Sequence, residues 1–238
     1  MKFIRQFLFL AFFLSGFCAL VYQVIWTRLA FASFGIIAPV LSVVLSIFML
    51  GLSVGAWAGG KWIAALVKKT GRSALLFYAL AELTIAVGAL IVPRLFALGE
   101  GLLLSSGQTD SFRYLSLSAL LLGVSILPWC LCMGATFPFM MAYVREHDQR
   151  AADSFSYLYL ANVLGAMTGC LLTAVVLIEL FGFKQTLWLA GGLNFAIAIV
   201  SGLIAWRVRP QSAPSPESKR ASKQSTVAPQ SIKTALPA

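Results

Sequence analysis

Charge is scarce in this sequence. Asp, Glu, Lys and Arg make up 11% of the chain, against about 25% in a soluble domain. So few charged groups cannot cover a water-facing surface, which excludes an ordinary soluble globular protein. The scarcity is also local: no charged residue occurs in Leu29–Gly60, Tyr114–Val144 or Ser154–Ile178. His147 is the only histidine, set in a charged loop between Arg145 and Arg150. No Ser–His–acid set and no metal site can be built around it. The four cysteines, Cys18, Cys130, Cys132 and Cys170, all lie in apolar runs. Cys130 and Cys132 are two apart and do not form the Cys-x-x-Cys of a redox or zinc site, so all four read as small buried hydrophobes. No glycine-rich loop follows a strand, so no nucleotide-cofactor fold is visible. Neither a cofactor nor a metal is expected.

Hydrophobic residues form 60% of the chain. A helix needs roughly 20 apolar residues to cross about 30 Å of hydrocarbon, and each charge-free window is long enough. Lipid admits only helices and closed barrels, and barrel strands alternate polar with apolar residues. These runs do not alternate, so the fold class is all-α: a polytopic membrane helix bundle. Six transmembrane helices are expected, over Gln6–Trp26, Ile36–Gly59, Ser73–Val92, Leu115–Tyr143, Ser154–Ile178 and Gln185–Trp206. The basic start Met1–Arg5 followed by an apolar run resembles a secretory signal. The run continues past Cys18 to Trp26, longer than a signal core, so it is taken as the first membrane helix.

The net charge of +10 does not point to nucleic acid. The basic residues flank the apolar runs, where the positive-inside rule places them. Of 18 Lys and Arg residues, only Arg28, Arg94, Arg113 and Lys184 fall on one side of the six helices. The expected topology is therefore multi-pass in the inner (cell) membrane with both termini cytoplasmic. Residues 1–206 form the membrane domain. Residues 207–238, rich in Pro, Ser, Lys and Gln, cannot bury enough apolar surface to fold and read as a disordered basic cytoplasmic tail.

The six helices also divide into threes. Gly51 and Gly55 match Gly165 and Gly169 at one offset, which also carries the third helix onto the sixth. An odd number of helices per repeat makes such repeats inverted, as in many transporters. Glycines four apart line one helix face and let a neighbouring backbone approach. Pro128 and Pro138 interrupt the fourth run, where each removes a backbone donor and favours a kink.

Glu82 is the sharpest chemical signal. It lies near the centre of the expected third helix, where a carboxylate costs a few kcal/mol, and intramembrane acids of this kind face other helices and serve function. No basic residue lies at the centre of any span to pair with it. Tyr22, Gln23 and Asn162 are its candidate polar neighbours and, with it, a candidate substrate-binding set. The alternative for each is an interhelical hydrogen bond. Trp26 and Arg28 read as an interfacial anchor at the outer end of the first helix.

Three motifs carry a resemblance. Leu14–Ser15–Gly16–Phe17 leading to Tyr22–Gln23 and Trp26–Thr27–Arg28 resembles the opening helix of the membrane-bound spermidine synthase-like proteins. Met133–Gly134–Ala135–Thr136–Phe137–Pro138 resembles their fourth helix, and Leu158–Tyr159 with Ala161–Asn162 and Leu164–Gly165–Ala166 their fifth. The resemblance implies a major-facilitator-like membrane domain that in relatives accompanies an aminopropyltransferase-like domain. That domain's glycine-rich loop and catalytic acids match no position here, so no catalytic residue carries over and no enzyme activity is expected of this chain alone. The inner loop after the second helix keeps the bases Lys61, Lys68, Lys69 and Arg72 but lacks the facilitator-type acid.

The resemblance implies a membrane domain that binds or transports a small amine-like solute, or docks a separately encoded aminopropyltransferase-like protein. Six helices equal half of a facilitator, so a homodimer is a further expectation. The rival readings are a membrane anchor or scaffold without a ligand, and a membrane-associated transferase for which no catalytic set is visible. The lipid bilayer is the one partner that all three share.

Overall fold

The computed structural model describes residues 2–36, 38–105, 110–147 and 151–207. The expected tail beyond Arg207 lies outside them. The described chain is helical and has no strand: α1 (Lys2–Phe34), α2 (Ala38–Thr70), α3 (Ala74–Ser105), α4 (Ser111–His147), α5 (Ala151–Leu172), a π-helical turn (Thr173–Leu177) and α6 (Ile178–Arg207).

Among the described residues, five helical stretches are long and apolar enough to cross a membrane: Gln6–Phe34, Ala38–Thr70, Ala74–Ser105, Ser111–Glu146 and Phe155–Arg207. They are the helices of a multi-pass membrane protein. The last is 53 residues long; straight, it would run about 80 Å, nearly twice the 40–45 Å of a whole bilayer. It is not straight. Gly182 adopts φ 68° and ψ 179°, a conformation open in practice only to glycine. The Thr186 hydroxyl donates to the Leu177 carbonyl, nine residues back in sequence, at 3.0 Å. A straight helix would hold those residues about 13 Å apart, so the chain turns sharply at Gly182.

The helices outrun the spans expected from sequence. α3 passes through Pro93 and Arg94 to Ser105 instead of ending at Val92. A charged residue marks where hydrocarbon gives way to water, not where backbone hydrogen bonding stops, and a proline removes one donor without ending a helix held by its neighbours. α4 likewise continues through Pro128 and Pro138. For the same reason Trp26 is not an interfacial anchor. α1 runs on two further turns, and Trp26 is fully buried, stacked on Tyr22 at a centroid distance of 5.1 Å. Among the cysteines, Cys18 and Cys130 are buried as expected, Cys132 is partly buried and Cys170 is exposed.

The largest helix contacts are α2 on α4, α1 on α5, α3 on α6 and α3 on α4. Glycines make the first two. A Cβ at Gly55 would overlap the Leu131 carbonyl oxygen, and one at Gly134 would overlap that of Leu52. In the α1–α5 pair, Gly165 and Gly169 sit on the carbonyl oxygens of Phe13 and Phe17, and Gly16 on that of Asn162. Lipid provides no hydrophobic force between helices, so backbone-to-backbone packing of this kind holds them together. Large apolar side chains such as Leu41, Met49, Val175 and Leu203 face outward.

Two apolar clusters fill the interior. One contains Cys18, Val21 and Tyr22 of α1, Ile85 and Ala89 of α3, and Leu187 and Ala190 of α6. The other contains Leu8, Ala11 and Phe12 of α1, Ala74, Leu75 and Tyr78 of α3, and Ile197 of α6. The positions skipped between them on the same three helices are Ser15, Glu82 and Asn194. All three are buried.

Candidate functional site

These skipped positions form one polar layer where α1, α3 and α6 meet. Glu82 has no exposed surface. The Ser15 hydroxyl donates to its Oε1 at 2.6 Å, and the Asn194 amide donates to its Oε2 at 2.5 Å. Asn194 Oδ1 in turn accepts from the Tyr22 hydroxyl at 3.2 Å. One helical turn before Glu82, Tyr78 adjoins both Glu82 and Ser15. Its buried hydroxyl makes no hydrogen bond among the described residues. Cys18, between Ser15 and Tyr22 on the same face of α1, approaches the Ala190 carbonyl at 3.5 Å.

The local sequence explains the convergence. Ser15, Cys18 and Tyr22 recur at i, i+3 and i+7, which lines one face of α1. Tyr78 and Glu82 are four apart and share one face of α3. Small residues bring α6 close to that face: a Cβ at Gly191 would meet Ala89 at 3.1 Å and lie 3.9 Å from the Tyr22 hydroxyl.

Every neighbour of Glu82 in this layer is neutral, and no ion pair reaches the carboxyl among the described residues. An amide is nearly symmetric in shape, so Asn194 can present either its NH₂ or its oxygen to Glu82. Facing a carboxylate it donates, as observed. Facing a protonated carboxyl it can turn and accept. The Tyr78 hydroxyl supplies a further donor within the same enclosure. The layer can therefore satisfy Glu82 with or without its proton, although an unscreened negative charge there would be costly.

Of the residues singled out from sequence, the structure brings Tyr22 and Glu82 together, joined through Asn194. Gln23 is half-buried on the next position of α1. Its backbone carbonyl accepts from Thr27 at 2.7 Å, and its side chain joins no hydrogen bond of this layer. Asn162 lies elsewhere, at the α1–α5 crossing, where its amide reaches the Phe12 carbonyl at 3.4 Å. Sequence reasoning missed Ser15, Tyr78 and Asn194. The signal for Asn194 was present: it is the one amide inside the apolar run Leu187–Trp206. The i+3/i+7 relation of Ser15 to Tyr22 was equally visible.

No family model, curated protein or solved structure matches the chain. The spermidine synthase-like resemblance therefore rests on its three motifs.

Proposed function

We propose that this chain is a six-span membrane domain of the spermidine synthase-like kind, built as two inverted three-helix repeats, that binds and moves a small cationic solute. The sharp turn at Gly182 supports six spans, since it divides the 53-residue apolar stretch into two arms of membrane-crossing length. The pattern of helix pairs supports the repeat. If α1, α2 and α3 correspond to α4, α5 and α6, then α2 on α4 corresponds to α5 on α1, α3 on α4 to α6 on α1, and α3 on α6 to itself. All of these contacts occur. The sequence offset that relates Gly55 to Gly169 also relates their partners, because Gly55 packs on the Leu131 carbonyl and Gly169 on that of Phe17.

One observation carries the functional reading: Glu82 is enclosed among neutral hydrogen-bonding groups, with no cation among the described residues to balance it. Such a carboxyl takes its countercharge from a proton or from a visiting cation. A protonated primary amine offers three donors and one charge, which suits two carboxyl oxygens and the amide oxygen of Asn194. Admission of the amine requires the α1–α3–α6 seam to open, and the two repeats rocking against each other would open it.

The inner-membrane location, cytoplasmic termini, a homodimer and docking of a separate aminopropyltransferase-like protein belong to the same proposal. The scaffold reading keeps one observation in its favour, the glycine-sealed crossings that hold α1 on α5 and α2 on α4.

The test compares amine uptake and melting temperature for wild type and Glu82→Gln in the same proteoliposomes, using labelled putrescine and spermidine. The amide keeps the size but cannot ionise; its oxygen can accept from Ser15, and its NH₂ can donate to Asn194 once that amide turns over. Glu82→Gln should melt within a few degrees of wild type and lose uptake. Uptake that persists unchanged in Glu82→Gln, or that is absent from wild type, would return Glu82 to a structural role.

A further inference from the structure

A different part of the molecule carries an independent inference. The outer seam between α3 and α6 is a groove that has two continuous parts. One, of about 340 Å³, is bordered by Leu83, Val87, Leu90, Trp188, Gly192 and Phe195. The other, of about 410 Å³, shares Leu90 and Trp188 and ends at Pro93, Arg94 and Lys184. The walls are apolar throughout, and the only charged groups are the two bases at one mouth. Arg94 and Lys184 are both exposed. Neither has an acidic partner among the described residues. Lys184 lies over the Trp188 ring, Nζ 5.0 Å from its centroid, which holds the ammonium at the mouth.

The dimensions fit one leaflet of a bilayer. From Arg94 to Leu83 on α3, and from Lys184 to Phe195 on α6, the groove runs about 16 Å at 1.5 Å per residue. Half of a hydrocarbon core of about 30 Å is about 15 Å. The bases therefore stand at headgroup level when the apolar trough lies beside the acyl chains. Gly192 keeps the trough open: a Cβ there would meet nothing within 4 Å.

We propose that this seam is a binding site for an anionic phospholipid, with the phosphate between Arg94 and Lys184 and one acyl chain along the α3–α6 trough. Two bases at one mouth of an apolar trough match the phosphate and acyl chain of a single lipid. The floor of the groove at Gly191 is the wall behind Tyr22 and Asn194, so a lipid seated here would brace the helix pair that encloses Glu82. The inference does not depend on what Glu82 binds.

Native mass spectrometry of the full chain in detergent, titrated with phosphatidylglycerol or phosphatidylcholine of the same acyl composition, tests it. Wild type should retain phosphatidylglycerol on the order of ten-fold more tightly than phosphatidylcholine, each base contributing roughly five-fold at most. Arg94→Gln with Lys184→Gln should erase the preference, while Arg94→Lys with Lys184→Arg should retain most of it. Gly192→Leu starts from a Cβ that meets nothing within 4 Å and extends into the trough, so it should weaken retention while the melting temperature without lipid stays close to wild type. Equal retention of both lipids by wild type would overturn the proposal. So would an undiminished phosphatidylglycerol preference in the double glutamine variant, or undiminished phosphatidylglycerol retention by a folded Gly192→Leu protein.

Discussion

Asn194 links α1 to α3 through α6, and its loss should be felt more than that of any other amide in the chain. Asn194→Ala leaves both Glu82 Oε2 and the Tyr22 hydroxyl buried without partners. A stranded buried polar group costs about 1–3 kcal/mol. Asn162 offers a comparison, because its amide makes a single long bond of 3.4 Å to the Phe12 carbonyl, and interhelical bonds in membranes average only about 0.6 kcal/mol. Thermal unfolding in one detergent should rank Asn194→Ala well below Asn162→Ala, and equal melting points would show that the layer does not hold the bundle. At this scale the sequence revealed Glu82 and Tyr22 but not Ser15, Tyr78 or Asn194. Glu82 stood out because a charge in hydrocarbon is conspicuous in any single helix, and Tyr22 because it shares the first helix with a polar run. Ser15 and Asn194 are small or neutral groups that become informative only once their helices are known to touch. Asn162 was drawn to Glu82 for the opposite reason: nothing in one helix tells which partner its amide will meet, and here it is α1.

Glycine chemistry separates the helices by role. At Gly165 and Gly55 an added Cβ would overlap a neighbouring carbonyl oxygen, so the helices must part to admit even alanine. Gly165→Ala and Gly55→Ala should each destabilise the protein by about 1–3 kcal/mol. Gly192→Ala, facing open space, should be neutral or stabilising by up to about 1 kcal/mol through helix propensity. Gly182→Ala should cost about 1–3 kcal/mol for a different reason, because its backbone at φ 68° and ψ 179° is one that alanine avoids. Melting temperatures of the four variants give the order, and a Gly165→Ala protein as stable as Gly192→Ala would mean that the α1–α5 crossing is looser than it stands. The small-residue spacing that predicted close helix faces was legible from sequence, whereas the helix ends were not. Apolar composition reports where hydrocarbon begins and ends, and α1 and α3 each continue beyond that limit as helix. The turn at Gly182 was legible only as a gap between two apolar runs, since neither Gly182 nor its neighbours differ in type from glycines that sit inside helices.

At the scale of the whole molecule, the proposed topology makes a prediction about direction that geometry alone does not. α3 runs between the ends Thr70 and Ser105 of two neighbouring hairpins, so those ends face opposite sides of any membrane the chain crosses. The Thr70 side carries Lys61, Lys68, Lys69, Arg72 and Arg145, and the Ser105 side carries Arg28, Arg94, Arg113 and Lys184. Lys and Arg close to span ends are retained on the cytoplasmic side, so the proposed topology predicts that the Thr70 side is the cytoplasmic one. The test uses single cysteines at Thr70 and Leu104 after the four native cysteines are replaced. Leu104 is 77% exposed, so a thiol there meets any reagent that reaches its side of the membrane. A membrane-impermeant maleimide added to intact cells should label Leu104→Cys and spare Thr70→Cys until the cells are opened. The Arg94–Lys184 mouth lies on the Leu104 side, so the same result would assign the anionic lipid to the outer leaflet. Labelling of Thr70→Cys in intact cells, with Leu104→Cys protected, would invert the molecule and move that lipid to the cytoplasmic leaflet.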